Sequence, residues 1–158
     1  LKTNIVSDMF QMILNLQAEN EKLKMTQVNS SSRVAITSDG KVLRAFSDED
    51  ATSYSIPNGV TTIAQRAFSE LENLKSVDIP DSVQFITQNA FEDSGLSSVV
   101  LPANIKVIDE YAFFFCQKLS SVGYKGEIYT SISKLEKALK ENGVIIGYHS
   151  FASTALAL

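Results

Sequence analysis

Ile79-Pro80-Asp81-Ser82-Val83-Gln84-Phe85-Ile86, followed by Asn89-Ala90-Phe91, is the middle one of three stretches that repeat a single pattern. Pro57, Pro80 and Pro102 are 23 and then 22 residues apart, and Ile63, Ile86 and Ile108 keep that step, as do Ala67, Ala90 and Ala112 and then Phe68, Phe91 and Phe113. Leu74, Leu96 and Leu119 are spaced 22 and then 23, so the register slips by one residue once, between Phe91 and Leu96. A fixed period in the twenties is the signature of a stacked solenoid, whose units bury their apolar faces only against one another. Such a fold offers surface for binding and no reason to expect chemistry.

Within one unit, Leu74-Lys75-Ser76-Val77-Asp78-Ile79 alternates as a short strand does. Val77 and Ile79 point inward and Ser76 and Asp78 outward. Pro80 cannot donate to a ladder and ends that strand. Val83 to Ile86 reads as a second short extended piece, and Asn89-Ala90-Phe91 as a tight helical turn. Alanine is small where the chain turns closest, and the phenylalanines of successive units stack into an apolar spine.

Outward from the repeats, Val34-Ala35-Ile36 and Val42-Leu43 flank Ser38-Asp39-Gly40, where Asp-Gly favours a tight hairpin turn. Tyr54 then fills the slot of Val77, Val99 and Val122, so residues 33–55 read as a hairpin cap on the first of the repeats, which span 56–124. In 125–158, Ser133-Lys134-Leu135-Glu136 reads as a capping box opening a helix that runs to Asn142, with Gly143 as its left-handed stop. Val144-Ile145-Ile146 follows as a buried strand, giving a strand-helix-strand cap. The tail 152–158 has no assignment. Residues 1–27 read as a helix with Ile5, Met9, Met12 and Leu16 on one stripe, widened by Val6, Phe10 and Ile13. Three roles stay open for it: docking on its own domain, self-association, or an exposed single helix, which would be marginal in water. Gln27 to Ser32 is a polar linker.

Composition sets limits on function. Charged residues are 20% of the chain and the net charge is -4, without the basic stripe that nucleic acid or an anionic membrane would require. Hydrophobic residues are 44%, yet no apolar run is long enough to insert in a membrane as a helix. One cysteine, Cys116, excludes an internal disulfide framework, and one histidine, His149, makes no zinc site. The charges Glu70, Glu72 and Asp48-Glu49-Asp50 lack the spacing of a calcium loop. With no nucleophile triad, phosphate loop or metalloprotease motif, neither an enzyme nor a cofactor is expected. The chain opens at Leu1 with no leader pattern, as a mature or trimmed fragment would.

Ile56-Pro57-Asn58-Gly59-Val60-Thr61-Thr62-Ile63, followed by Ala67-Phe68, resembles the BspA-like leucine-rich repeat, and Ser38-Asp39-Gly40-Lys41 with Tyr54 resembles the segment that precedes the first repeat in that family. The resemblance covers Val34 to Tyr124. It departs at Leu71 and Ser94 where the family carries Cys, a slot that Cys116 fills, and at Ala64, Thr87 and Asp109 where it carries Gly. It implies an α/β leucine-rich repeat solenoid, a short right-handed horseshoe-like stack of three β-turn-helical repeats. It also implies a surface-exposed or secreted module, adhesin-like, that binds a protein of a host, a matrix or another cell.

Strand geometry supplies the candidate binding face: Ser53, Ser55, Ser76, Asp78, Ser98, Val100 and Ser121 point outward, with Gly123 beside them. They form a small, mostly neutral strip without Tyr, Trp or Arg anchors, so one copy should bind weakly. An alternative is structural: Ile5, Met9, Met12 and Leu16 assemble a homo-oligomer, and the solenoids become multivalent receptor-binding tips of a fibre or tail. Cys116, beside Phe113, Phe114 and Phe115, is expected to be a buried inert thiol.

Overall fold

A computed structural model describes residues 33–158 and the single position Gln11. The expectations for Ile5, Met9, Met12 and Leu16, and for the linker after them, lie outside the described residues. From Arg33 onward the chain winds as a β-solenoid, with one helix among the described residues.

One side of the coil is a six-stranded sheet in the order β1-β2-β4-β6-β8-β11. Its strands are β1 (Val34–Ile36), β2 (Val42–Phe46), β4 (Thr62–Ile63), β6 (Phe85–Ile86), β8 (Val107–Ile108) and β11 (Ile145–Ile146). β1 and β2 form the antiparallel hairpin, and every later pairing is parallel. Its turn is held by Asp39, whose Oδ1 accepts from Thr37 Oγ1 (2.7 Å) and the Lys41 amide (3.0 Å), with Gly40 at φ +72°.

The second side carries β3 (Ser53–Ser55), β5 (Ser76–Asp78), β7 (Ser98–Leu101) and β9 (Ser121–Tyr124), with β10 (Glu127–Tyr129) folded back on β9. β3 pairs with β5 and β7 with β9, and the Ser97 amide donates to the Lys75 carbonyl (3.1 Å), keeping β7 beside β5. Positive φ at both Lys125 (49°) and Gly126 (80°) makes the two-residue turn into β10. α1 (Ile132–Glu141) then buries Leu135 and Leu139, and Gly143 at φ +76° stops it.

Each coil contributes one residue to each buried row. Leu43, Ile63, Ile86, Ile108 and Ile146 are in register across the six-stranded sheet. The ring spine runs Phe46, Phe68, Phe91, Phe113, Phe151, with centroids 5.3, 4.9, 5.0 and 5.3 Å apart. The last three contacts are nearly parallel, at 4°, 2° and 5°. No unit could cover such a ring alone, so stability is shared between neighbours.

The structure corrects four readings. The stack does not stop at three repeats: Leu43 and Phe46 supply a partial coil before them, while Ile146, Phe151 and the buried Leu156 of the tail supply a fourth coil after them. Second, the connection after β4, β6 and β8 is no helical turn. Ala67, Ala90 and Ala112 donate to carbonyls three residues back, whereas Phe68, Phe91 and Phe113 donate to the next coil, at Ala90, Ala112 and Ser150. That alternation needs left-handed residues four apart, at Arg66 and Glu70, Asn89 and Asp93, Tyr111 and Phe115, and His149 and Ser153. Third, α1 starts before the expected capping box. Its N-cap is Ser131, whose hydroxyl lies 3.1 Å from Ser133 Oγ and donates to the Leu158 carbonyl (3.2 Å) instead of capping the helix. Finally, Val144-Ile145-Ile146, expected as a buried strand, is only partly so: β11 spans Ile145–Ile146, with Ile146 half-buried and Ile145 66% exposed.

Candidate interaction surface

The seven expected face residues do share one side. Val77, Val99 and Val122 are buried, so Ser53, Ser76, Ser98 and Ser121 form one outward row, in register from Ser53 to Ser76 and from Ser98 to Ser121. Ser55, Asp78 and Val100 form the next, ending at Gly123. Ser55 Oγ donates to Asp78 Oδ2 at 2.8 Å, so part of this polarity is already satisfied. One apolar spot interrupts the strip. Val100 (68% exposed) and Ile128 of β10 (77%) flank Gly123, with which both are paired. A Cβ at 123 would lie 3.1 Å from Val100 Cγ2, so the glycine lets Val100 lean across the strand.

The turn edge of the solenoid holds what that strip lacks. Left-handed backbone at Tyr111, Phe115 and His149 throws side chains off the coil. Coil stacking then brings five rings into one chain. Phe115 meets Phe114 at 5.5 Å, Phe114 meets Tyr111 at 5.3 Å, Tyr111 meets Tyr148 at 6.0 Å, and Tyr148 meets His149 at 3.7 Å. Two of these contacts are edge-on, at 78° and 88°, a favoured geometry for aromatic pairs. Tyr148 is 63% exposed and Phe115 41%. At the matching corners of the first two coils stand Arg66, Glu70, Glu92 and Asp93, where Arg66 reaches Glu92 at 3.4 Å. The edge is thus charged at one end and aromatic at the other.

Between the two ends lies a notch of about 180 Å³, walled by Glu72, Asp93, Ser94, Gly95, Phe115 and Lys118. Its cause is the register slip. The second coil has one residue fewer between Phe91 and Leu96, and the Gly95 amide donates to the Leu71 carbonyl at 2.9 Å, drawing the chain onto the first coil. Behind it, Cys116 is fully buried and donates from Sγ to the Phe91 carbonyl (2.9 Å). Burial pushes this thiol's pKa up, although the Ser94 hydroxyl 3.4 Å away pulls the other way. Among the described residues no group of three or more His, Cys, Asp or Glu is placed to hold a metal. No described helix is long and apolar enough to cross a membrane.

The aromatic edge escaped the sequence reading, which treated Phe114 and Phe115 only as neighbours of Cys116. The signal was the run Tyr111-Ala112-Phe113-Phe114-Phe115, in which only Ala112 and Phe113 belong to the repeat pattern.

The match to a family model agrees with the repeat fold. Residues 43–157 match the family described as the BspA type leucine rich repeat region, in 6 copies, where the sequence reading counted three. No curated protein matches the chain. A leucine-rich repeat protein from Bacteroides ovatus is 28% identical over 68% of this chain and 24% of that one, with a TM-score of 0.53. Another, from Eubacterium ventriosum, is 20% identical over 61% of this chain and 27% of that one, with a TM-score of 0.52. A leucine rich cell surface protein from Faecalibacterium prausnitzii is 30% identical over 54% of this chain and 25% of that one, at a TM-score of 0.47. The chain spans about a quarter of the length of each.

Proposed function

Because the chain belongs to the BspA type leucine rich repeat family, we propose that it is a non-catalytic protein-interaction module that grips its partner with the aromatic turn edge of its last two coils. The observation that carries this is the five-ring chain from Phe115 to His149. Binding energy at protein interfaces concentrates in a few large side chains, Tyr among the foremost, that sit in or beside a pocket. Tyr148 stands exposed along that edge, and the notch beside Phe115 offers a concavity for a partner side chain. Surface exposure and an adhesin-like role toward a host or matrix protein belong to this proposal and rest on the family resemblance. A second reading keeps the strand face, on one observation: Val100, Gly123 and Ile128 form an apolar spot beside the serine row.

The two are separated by surface plasmon resonance of the full chain against a panel of purified matrix and serum proteins. For a protein that the wild type binds, Tyr148→Ser should weaken binding by about thirty-fold, the loss of one anchor, while Ser98→Arg leaves it within two-fold. The reverse pattern moves the site to the strand face. Binding that survives both substitutions refutes both assignments.

A further inference from the structure

The outer side of the six-stranded sheet carries a row, apolar except for Thr62, that no strand pattern requires. Val42 pairs with Thr62, Thr62 with Phe85, Phe85 with Val107, and Val107 with Ile145, so one outward residue per coil lines up across five strands. Each precedes the inward residue of its strand, where a solvated face calls for a polar side chain. Phe85 is 36% exposed and Ile145 66%, with Val42, Thr62 and Val107 half-buried. Exposed Lys41 and Lys106 border the row along one flank.

We propose that the chain's own N-terminal segment, whose sequence reads as an amphipathic helix over Ile5 to Met25, lies along this row and covers it. Three observations favour that occupant. The first is where the segment joins. Arg33, whose carbonyl accepts the Ser47 amide at 2.9 Å, leads directly into β1, the edge strand of this same sheet. The polar residues 27–32 can extend about 20 Å, more than the crossing from β1 to the row demands. The second is length. Four strand spacings make the row about 19 Å long, and Ile5 to Leu16 in helical form rises about 16 Å. The third is chemistry: the stripe Ile5, Met9, Met12, Leu16 matches the row in character, and at helical spacing Asp8 and Glu19 fall along one flank of it, as Lys41 and Lys106 do along the row. A segment so placed would leave the aromatic edge and the serine strip free for a partner.

Cysteine pairing in the full chain tests this. Phe85→Cys or Ile145→Cys, both at surface positions, is combined in turn with Met9→Cys, Met12→Cys or Leu16→Cys and oxidised in dilute solution. Products are read by mass and by non-reducing electrophoresis, with circular dichroism to establish that each variant folds. The buried Cys116 does not compete. At least one combination is expected to close an intrachain disulfide in most molecules, and adding Val107→Glu should lower that yield at least tenfold. Failure of all six combinations would overturn the proposal. Disulfides formed only between chains would overturn it too, in favour of a second copy as the occupant. An intrachain yield indifferent to Val107→Glu would mean chance collision and would equally reject it.

Discussion

Gly95→Ala isolates the close contact that creates the notch. The substitution adds one methyl group to a residue whose φ is not left-handed, so conformational preference alone would favour alanine by about 0.4–1 kcal/mol through the unfolded chain. Sterics oppose it. A Cβ at 95 would collide with the Glu72 carbonyl oxygen and sit 2.8 Å from the Glu72 carbonyl carbon and 3.3 Å from the Leu74 oxygen. All three are backbone atoms, so no side-chain rotation relieves the clash. The first two coils would have to part by about an ångström, loosening the Gly95 to Leu71 hydrogen bond and the rows on either side. Overpacking of this kind costs about 1–3 kcal/mol and occasionally more, so the net loss should be about 2 kcal/mol. Urea unfolding should show a lower midpoint with an unchanged slope, and the melting temperature should fall by about 6 °C. Inserting one residue between Gly95 and Leu96, which restores the length of the other coils, should recover at least half of the loss. If Gly95→Ala proves neutral or stabilising, the second coil does not lie against Glu72, and the origin assigned to the notch is wrong.

Phe91→Ala removes the central ring, stacked on both sides at 4.9 and 5.0 Å, and should cost about 4 kcal/mol by calorimetry. Phe46→Ala, at the end of the spine and 6% exposed, should cost about 1–2 kcal/mol less; equal costs would contradict a stability shared between stacked neighbours. Because burial raises the Cys116 pKa in the folded state, the unfolded thiol loses its proton first. The contribution of this group is therefore complete below about pH 8.5 and declines as pH rises further. The urea midpoint should drop between pH 7 and pH 9.5, and less steeply in Cys116→Ala; identical slopes would reject the assignment. Glu70→Asn should stabilise by about 0.5 kcal/mol, because Glu70 holds φ +62°, which asparagine tolerates better. Its exposed ion pair with Arg66, at 4.0 Å, offsets little of that gain, and a loss of stability in chemical denaturation would count against it.

What could be read from the sequence was whatever repeats at short range. Phe68, Phe91 and Phe113 announce a spine because their spacing is regular, and the outward placement of Ser76 and Ser98 follows from strand alternation. Phe151 stands 38 residues beyond Phe113, because β10 and α1 interrupt the last coil, so its place in the same spine shows only in three dimensions. Val83 to Ile86 was legible as an extended piece, but its pairing into the larger sheet was not, because strands of two residues, such as Phe85–Ile86, are too short to display any alternation. Left-handed Arg66, Tyr111 and Phe115 carry no propensity that would reveal a reverse turn in place of a helical one. The aromatic edge was illegible for a related reason. Tyr111 and Tyr148 lie 37 residues apart in sequence and touch only because the Tyr111 amide bonds to the Tyr148 carbonyl across coils.

The regular part of a solenoid is poorly suited to selecting one partner. Every coil must reproduce its neighbour's backbone, so the rows of the strand face converge on small, similar residues such as Ser53, Ser76, Ser98 and Ser121. A partner sliding by one coil would meet almost the same surface. Discrimination requires places where the repeat is broken, and this chain has three within reach of one another. The short second coil opens the notch at Gly95; the third substitutes rings for charges at Tyr111, Phe114 and Phe115; and the interrupted last coil adds Tyr148 beside them. Each break has a structural cost that the regular pattern would avoid, namely backbone contact at Gly95, left-handed bulky residues, and exposed aromatic surface. Local violations of the rules that otherwise govern a fold tend to coincide with function, and here they coincide with one another along a single edge. A site on that edge would be fixed to one pair of coils, whereas a site on the serine strip would recur with every turn.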